Sequence, residues 1–137
     1  MSKFEWQVTH NLSDALVKDI LTTAFEGGIG YWACLDNDTP EWKDARKRFI
    51  EKNNGQKPYY CDVAFELMVK GDPVVFLDEE DDNKELKMYY DDFIRGCKLF
   101  EQHANVVLSD YIENGPFDST DADCIIQYAV FGDIIYG

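Results

Sequence analysis

No apolar run in this chain approaches the roughly eighteen residues that a helix needs to cross a bilayer. The opening residues also lack the basic-then-apolar pattern of a secretory signal, so the expected compartment is the cytoplasm. The four cysteines, Cys34, Cys61, Cys97 and Cys124, contain no CxxC pair and lie far apart. With no signal for an oxidising compartment, they are expected to be reduced and mostly buried. Histidine is scarce, with only His10 and His103, so a zinc site would need widely separated ligands, and no metal is expected.

Positive charge is also in short supply. Lys and Arg number 13 against 27 Asp and Glu, a net charge of −14 over 137 residues. Long-range repulsion then disfavours direct binding to nucleic acid or to an anionic membrane. The same charge would let the surface imitate nucleic acid and occupy a basic groove on a partner. Charge is uneven, however. Across residues 39–57, Lys43, Arg46, Lys47, Arg48, Lys52 and Lys57 face only Glu41, Asp44 and Glu51. That segment is either a solvated helix face or an anion-attracting patch centred on Lys43, Arg46 and Lys47.

Catalytic signatures are missing as well: GxSxG, a Walker loop and HExxH are all absent. "EGGIG" at Glu26–Gly30 has the look of a phosphate-cradling loop, but it follows an amphipathic helix. Phosphate loops precede a helix and use the positive end of its dipole. The run "DEEDDNK" from Asp78 invites a calcium reading. An EF-hand loop needs glycine at its sixth position and glutamate at its twelfth, where this chain has Asn83 and Tyr89. A solvated hairpin tip fits better.

What is present is enough for a core: 45% hydrophobic residues and 15% aromatics in a one-domain length. Phe4, Trp6 and Val8 alternate in a first strand. Asn11 or Ser13 then caps a helix whose apolar face includes Leu12, Leu16, Ile20, Ala24 and Phe25. Gly27-Gly28 is expected to stop it through the left-handed conformation. Thr39 and Pro40 start a second, basic helix with a thin apolar stripe, which reads as an insertion over residues 39–57. "YYCDVAFELMV", "PVVFLD" and "ELKMYY" read as three strands. "DDFIRGCKLFEQHA" is a third helix, in which Gly96 suggests close packing against a neighbour. Asp118 caps a last helix ended by Gly132, and "DIIYG" would add a short strand. The expectation is one α+β domain over residues 1–137, an antiparallel sheet of about three to five strands covered by about four helices.

Glu26-Gly27-Gly28 followed by Tyr31 and Trp32 is the candidate site. The glycines permit close backbone approach, and the rings could stack a base or anchor a partner. The alternative is a helix cap followed by a buried aromatic pair. Glu26 and Asp123 are the carboxylates available for acid–base work, with no spacing in the sequence to fix their separation.

"EGGIGYW" at Glu26–Trp32 and "DADCIIQYAVFGDIIYG" at Asp121–Gly137 together resemble a family of small acidic phage and prophage proteins. Members read EGGxxYW near the N-terminus and DxxxQxxxFGExxYG at the C-terminus. The matching positions are Glu26, Gly27, Gly28, Tyr31, Trp32, Asp123, Gln127, Phe131, Gly132, Tyr136 and Gly137, and the helix carrying Gly96 is similar to the family's middle helix. The chain departs from the pattern at Gly30, where the family usually has Asn, and at Asp133, where Glu is common. The basic segment has no counterpart. The resemblance brings no established activity, but it implies that the two end motifs meet in space. Gly27-Gly28 would let the final "FGDIIYG" segment approach closely, with Glu26 or Asp123 bonded to amides there. That contact is either purely structural or a ligand- or partner-binding pocket walled by Tyr31, Trp32 and Tyr136, with Gln127 among its candidate residues.

It also implies a phage accessory protein, acting in the host cytoplasm, that inhibits a host defence system by binding one of its proteins, as anti-CRISPR proteins do. A second expectation is a sponge that sequesters a nucleotide signal on Tyr31, Trp32 and the basic helix. A third is a nucleotide-processing enzyme using Glu26 or Asp123. No cofactor is expected, and the exposed aromatics are compatible with a homodimer.

Overall fold

The structure, a computed structural model, describes residues 12–137. The expected first strand with Phe4, Trp6 and Val8 lies outside the described residues. Helix α1 (Asp14–Thr23) starts where the Ser13 hydroxyl accepts from the Leu16 amide at 3.2 Å, and it buries Leu16, Ile20 and Leu21. Its end corrects the sequence reading. Neither Gly27 nor Gly28 takes a left-handed conformation; the helix widens instead into a π-turn over Ala24–Gly28, closed by the Ile29 amide on the Ala24 carbonyl at 3.0 Å. Gly28 is needed for proximity, because a Cβ there would sit 2.8 Å from the Ser119 carbonyl oxygen.

Strand β1 (Ala33–Leu35) follows, then α2 (Pro40–Lys52), capped by Thr39 as its sequence requires. Helix α2 buries only Trp42 and Ala45 and lies against α3 (Tyr60–Lys70). Helix α3 is a second correction, since "YYCDVAFELMV" had the composition of a strand. Its buried residues, Cys61, Val63, Ala64, Leu67 and Met68, repeat at helical spacing, and the Asp62 carboxylate accepts from the Tyr59 amide at 2.9 Å to cap it. Gly71, at φ +94°, ends it.

Strands β2 (Val74–Asp78) and β3 (Lys84–Met88) complete an antiparallel sheet in the order β1-β2-β3. Ala33 pairs with Asp78, and Val74 with Met88. The acidic run between β2 and β3 forms the expected exposed turn, with Asp82 and Asn83 at positive φ. Lys84, Glu85 and Lys87 put charge along β3, which discourages further strand pairing at that edge.

Helix α4 (Tyr90–Ala104) and helix α6 (Ser119–Phe131) pack tightly through Gly96, where a Cβ would come within 2.5 Å of the Ile125 carbonyl oxygen. The close packing expected of this glycine is thus present. The short α5 (Leu108–Asn114) was not anticipated; the buried Glu101 carboxylate sets its start by accepting from the Leu108 amide at 2.7 Å. Asp118 and Asp121 cap α6 reciprocally, and Gly132 at φ +78° stops it.

The result is a small α+β domain with six helices and three strands among the described residues, richer in helix than the four expected. Trp32, Phe76, Phe93, Leu67, Ile125 and Ile126 fill the core. The closing "DIIYG" forms no strand. All four cysteines are free; Cys61 and Cys97 are buried, and burial pushes the Cys97 thiol pKa up. Among the described residues, no helix is long and apolar enough to cross a membrane.

Candidate functional site

The π-turn delivers Tyr31 and Trp32 against the middle of α6. Trp32 is wholly buried, and its indole Nε1 donates to Asp123 Oδ1 at 2.8 Å. The Tyr31 hydroxyl donates to Asp123 Oδ2 at 2.6 Å. One turn later on α6, Gln127 Nε2 donates to Asp123 Oδ1 at 3.0 Å. A buried carboxylate is therefore satisfied by neutral donors, with no cation in ion-pair range among the described residues. Burial and the Asp123 carboxylate together push the Tyr31 phenol from 10.0 up to about 12.

Gln127 explains why the tail needs no strand partner. Its Oε1 accepts from the amides of Ile135 and Tyr136, at 2.8 and 2.9 Å, and its Nε2 donates to the Tyr136 carbonyl at 3.1 Å. The side-chain amide thus performs the pairing that a neighbouring strand would otherwise supply. The tail then returns Tyr136 over Trp32, with ring centroids 5.4 Å apart and planes 28° apart, while Phe131 closes the other contact at 5.4 Å. The Tyr136 hydroxyl donates to Asp78 at the end of β2, 2.9 Å to Oδ2, and this acceptor pushes its pKa from 10.0 to about 12.

Most of the candidate residues are therefore brought together as one knot: Gly28, Tyr31, Trp32, Asp123, Gln127 and Tyr136. Glu26 and Gly27 stand apart from it, both exposed. A Cβ on Gly27 would make only an ordinary 3.7 Å contact with Ser119. The glycine pair approaches the start of α6, not the closing tail as the sequence suggested. Asp78 was missed, although Val74, Phe76 and Asp78 share one face of β2 by period-two spacing, and all three are buried.

Around the knot, several apolar side chains are exposed. Tyr31 is 52% exposed and Ile135 56%, with Ile134 beside them. Exposed Glu80 and Asp81, in the acidic turn that follows Asp78, lie near enough to the Tyr136 hydroxyl to raise its pKa further.

The basic patch lies elsewhere, on α2. Lys43 pairs with the exposed Asp38 at 3.0 Å, and Lys52 with Glu66 of α3 at 2.6 Å; Arg48 bonds Asp44. Arg46 and Lys47 are exposed with no carboxylate partner among the described residues. Lys43 and Arg46 line a cavity of about 260 Å³ together with Asn37, Trp42, Pro58, Tyr60 and Val63. Lys47 does not reach it. Among the described residues no group of three or more His, Cys, Asp or Glu converges as a metal site.

Comparisons with protein-family models, with curated proteins and with solved structures found no match to this chain.

Proposed function

We propose that this chain is a phage or prophage accessory protein that inhibits a host defence system by binding one of its proteins. The observation that supports the reading is that apolar Tyr31, Ile134 and Ile135 are exposed around the knot, while the exposed acidic turn of residues 79–82 follows the Asp78 that holds the Tyr136 hydroxyl. An apolar centre with a charged rim is the usual anatomy of a protein–protein interface. At a net charge of −14, the complementary partner is basic, as the nucleic-acid channel of a defence nuclease is. The knot beneath fits a supporting role: the Asp123 and Gln127 hydrogen bonds hold Tyr31 and the tail in fixed positions for docking. The resemblance of the two end motifs to phage proteins supports the biological setting.

The test is inhibition of purified RNA-guided nucleases, measured as target-DNA binding across a salt series. The protein should compete with DNA, and replacing Glu79, Glu80, Asp81 and Asp82 by their amides should weaken inhibition at least about tenfold and flatten its salt dependence. Full inhibition by that variant, or no inhibition of any defence nuclease tried, contradicts the proposal.

A further inference from the structure

A second region, lined by residues from the end of α1 and the start of α3, has the opposite character. A cavity of about 660 Å³ is lined by Thr22, Phe25, Glu26, Pro58, Tyr59, Tyr60 and Cys61. That volume lies within the range of roughly 300–1,000 Å³ typical of small-molecule sites. It shares Pro58 and Tyr60 with the smaller cavity beneath Lys43 and Arg46, so Tyr60 stands between the two. The position of Tyr60 is fixed: its ring packs edge-on against the buried Trp42 at 5.7 Å, and its hydroxyl accepts from Asn37 at 3.2 Å.

The two compartments differ in charge. The large one is walled by aromatic rings and has one carboxylate, Glu26, which is exposed and has no hydrogen-bond or ion-pair partner among the described residues. The small one has two cations; among the described residues Arg46 has no partner and Lys43 only a solvent-exposed one. A ligand matching both ends has a flat ring with N–H donors at one end and an anion at the other. Guanidinium is well suited to phosphate, which it binds through paired donors.

We propose that this double cleft binds a purine nucleoside monophosphate. The base lies among Phe25, Tyr59 and Tyr60 with its N–H edge donating to Glu26, and the phosphate rests on Arg46 and Lys43. Guanine, whose Watson–Crick edge carries adjacent N–H donors, suits a carboxylate better than adenine does. This site is separate from the acidic surface and does not depend on its role.

The experiment is an NMR titration of the full chain with GMP, guanosine and inorganic phosphate. GMP should shift the Phe25, Tyr60, Cys61 and Arg46 signals saturably, with a Kd tighter than about 1 mM. Replacing Lys43 and Arg46 together by alanine should weaken GMP at least about tenfold and leave guanosine unchanged, while Glu26→Gln weakens both. These side chains are exposed, so an unchanged Trp32 indole signal serves as the check that each variant is folded. The proposal is overturned if GMP gives no saturable shift up to about 10 mM, if the double variant binds it equally well, or if phosphate alone matches GMP in affinity.

Discussion

Two regions of this molecule each place a tryptophan beside a tyrosine, and they use the pair in opposite ways. In the knot, Trp32 and Tyr136 stack inside a network where every polar atom of Gln127 and both oxygens of Asp123 are occupied by protein groups. In the cleft, Trp42 and Tyr60 meet edge-on at the wall of an open cavity, and Arg46 and Glu26 nearby have no partners among the described residues. The first arrangement spends its chemistry on holding the chain together. The second leaves its chemistry unspent, which is the condition for binding something else.

This contrast breaks most sharply at Asp123. Asp123→Ala leaves the buried Trp32 indole N–H and the Tyr31 hydroxyl without their acceptor, each a loss of about 1–3 kcal/mol. Denaturant unfolding should therefore show about 2–5 kcal/mol of destabilisation. Gly96→Ala, which forces a methyl group toward the Ile125 carbonyl, should cost about 1–3 kcal/mol in the same measurement.

A smaller effect depends on pH. Tyr31 and Tyr136 have their pKa values raised from 10.0 to about 12 in the fold, so the stability they contribute is complete below pH 10 and is lost as the pH rises toward 12. Absorbance titration should show two late-ionising phenols, one lost in Tyr31→Phe and the other in Tyr136→Phe. The smallest change belongs to the cleft. Arg46→Ala should alter stability by less than about 0.5 kcal/mol, since the side chain is exposed and makes no hydrogen bond or ion pair among the described residues.

The sequence made several of these elements legible because local rules dictated them. Ser13, Thr39 and Asp118 cap their helices, Gly132 ends α6, and the acidic run forms a turn. The assignment of α3 failed because β-branched and aromatic residues were weighed above the spacing of Cys61, Ala64 and Met68. Gly27-Gly28 was misread because glycine permits close approach as well as left-handed turns, and the approaching carbonyl comes from Ser119, far away in sequence. The tail was misread as a strand because no local pattern shows that one glutamine side chain can satisfy the backbone of Ile135 and Tyr136. The meeting of the two end motifs came only from the resemblance. The cleft went unseen because Phe25, Tyr59 and Arg46 converge only after α1, α2 and α3 are folded.

Native-state hydrogen exchange at the Ile135 and Tyr136 amides tests the account of the knot most directly. Both lie in a non-strand tail, and their protection depends on Gln127 alone. The account predicts strong protection in the unmodified chain, and its loss in Gln127→Leu while the core amides of α4 stay protected. Exchange of the two amides at the rate of an open chain in the unmodified protein would contradict it.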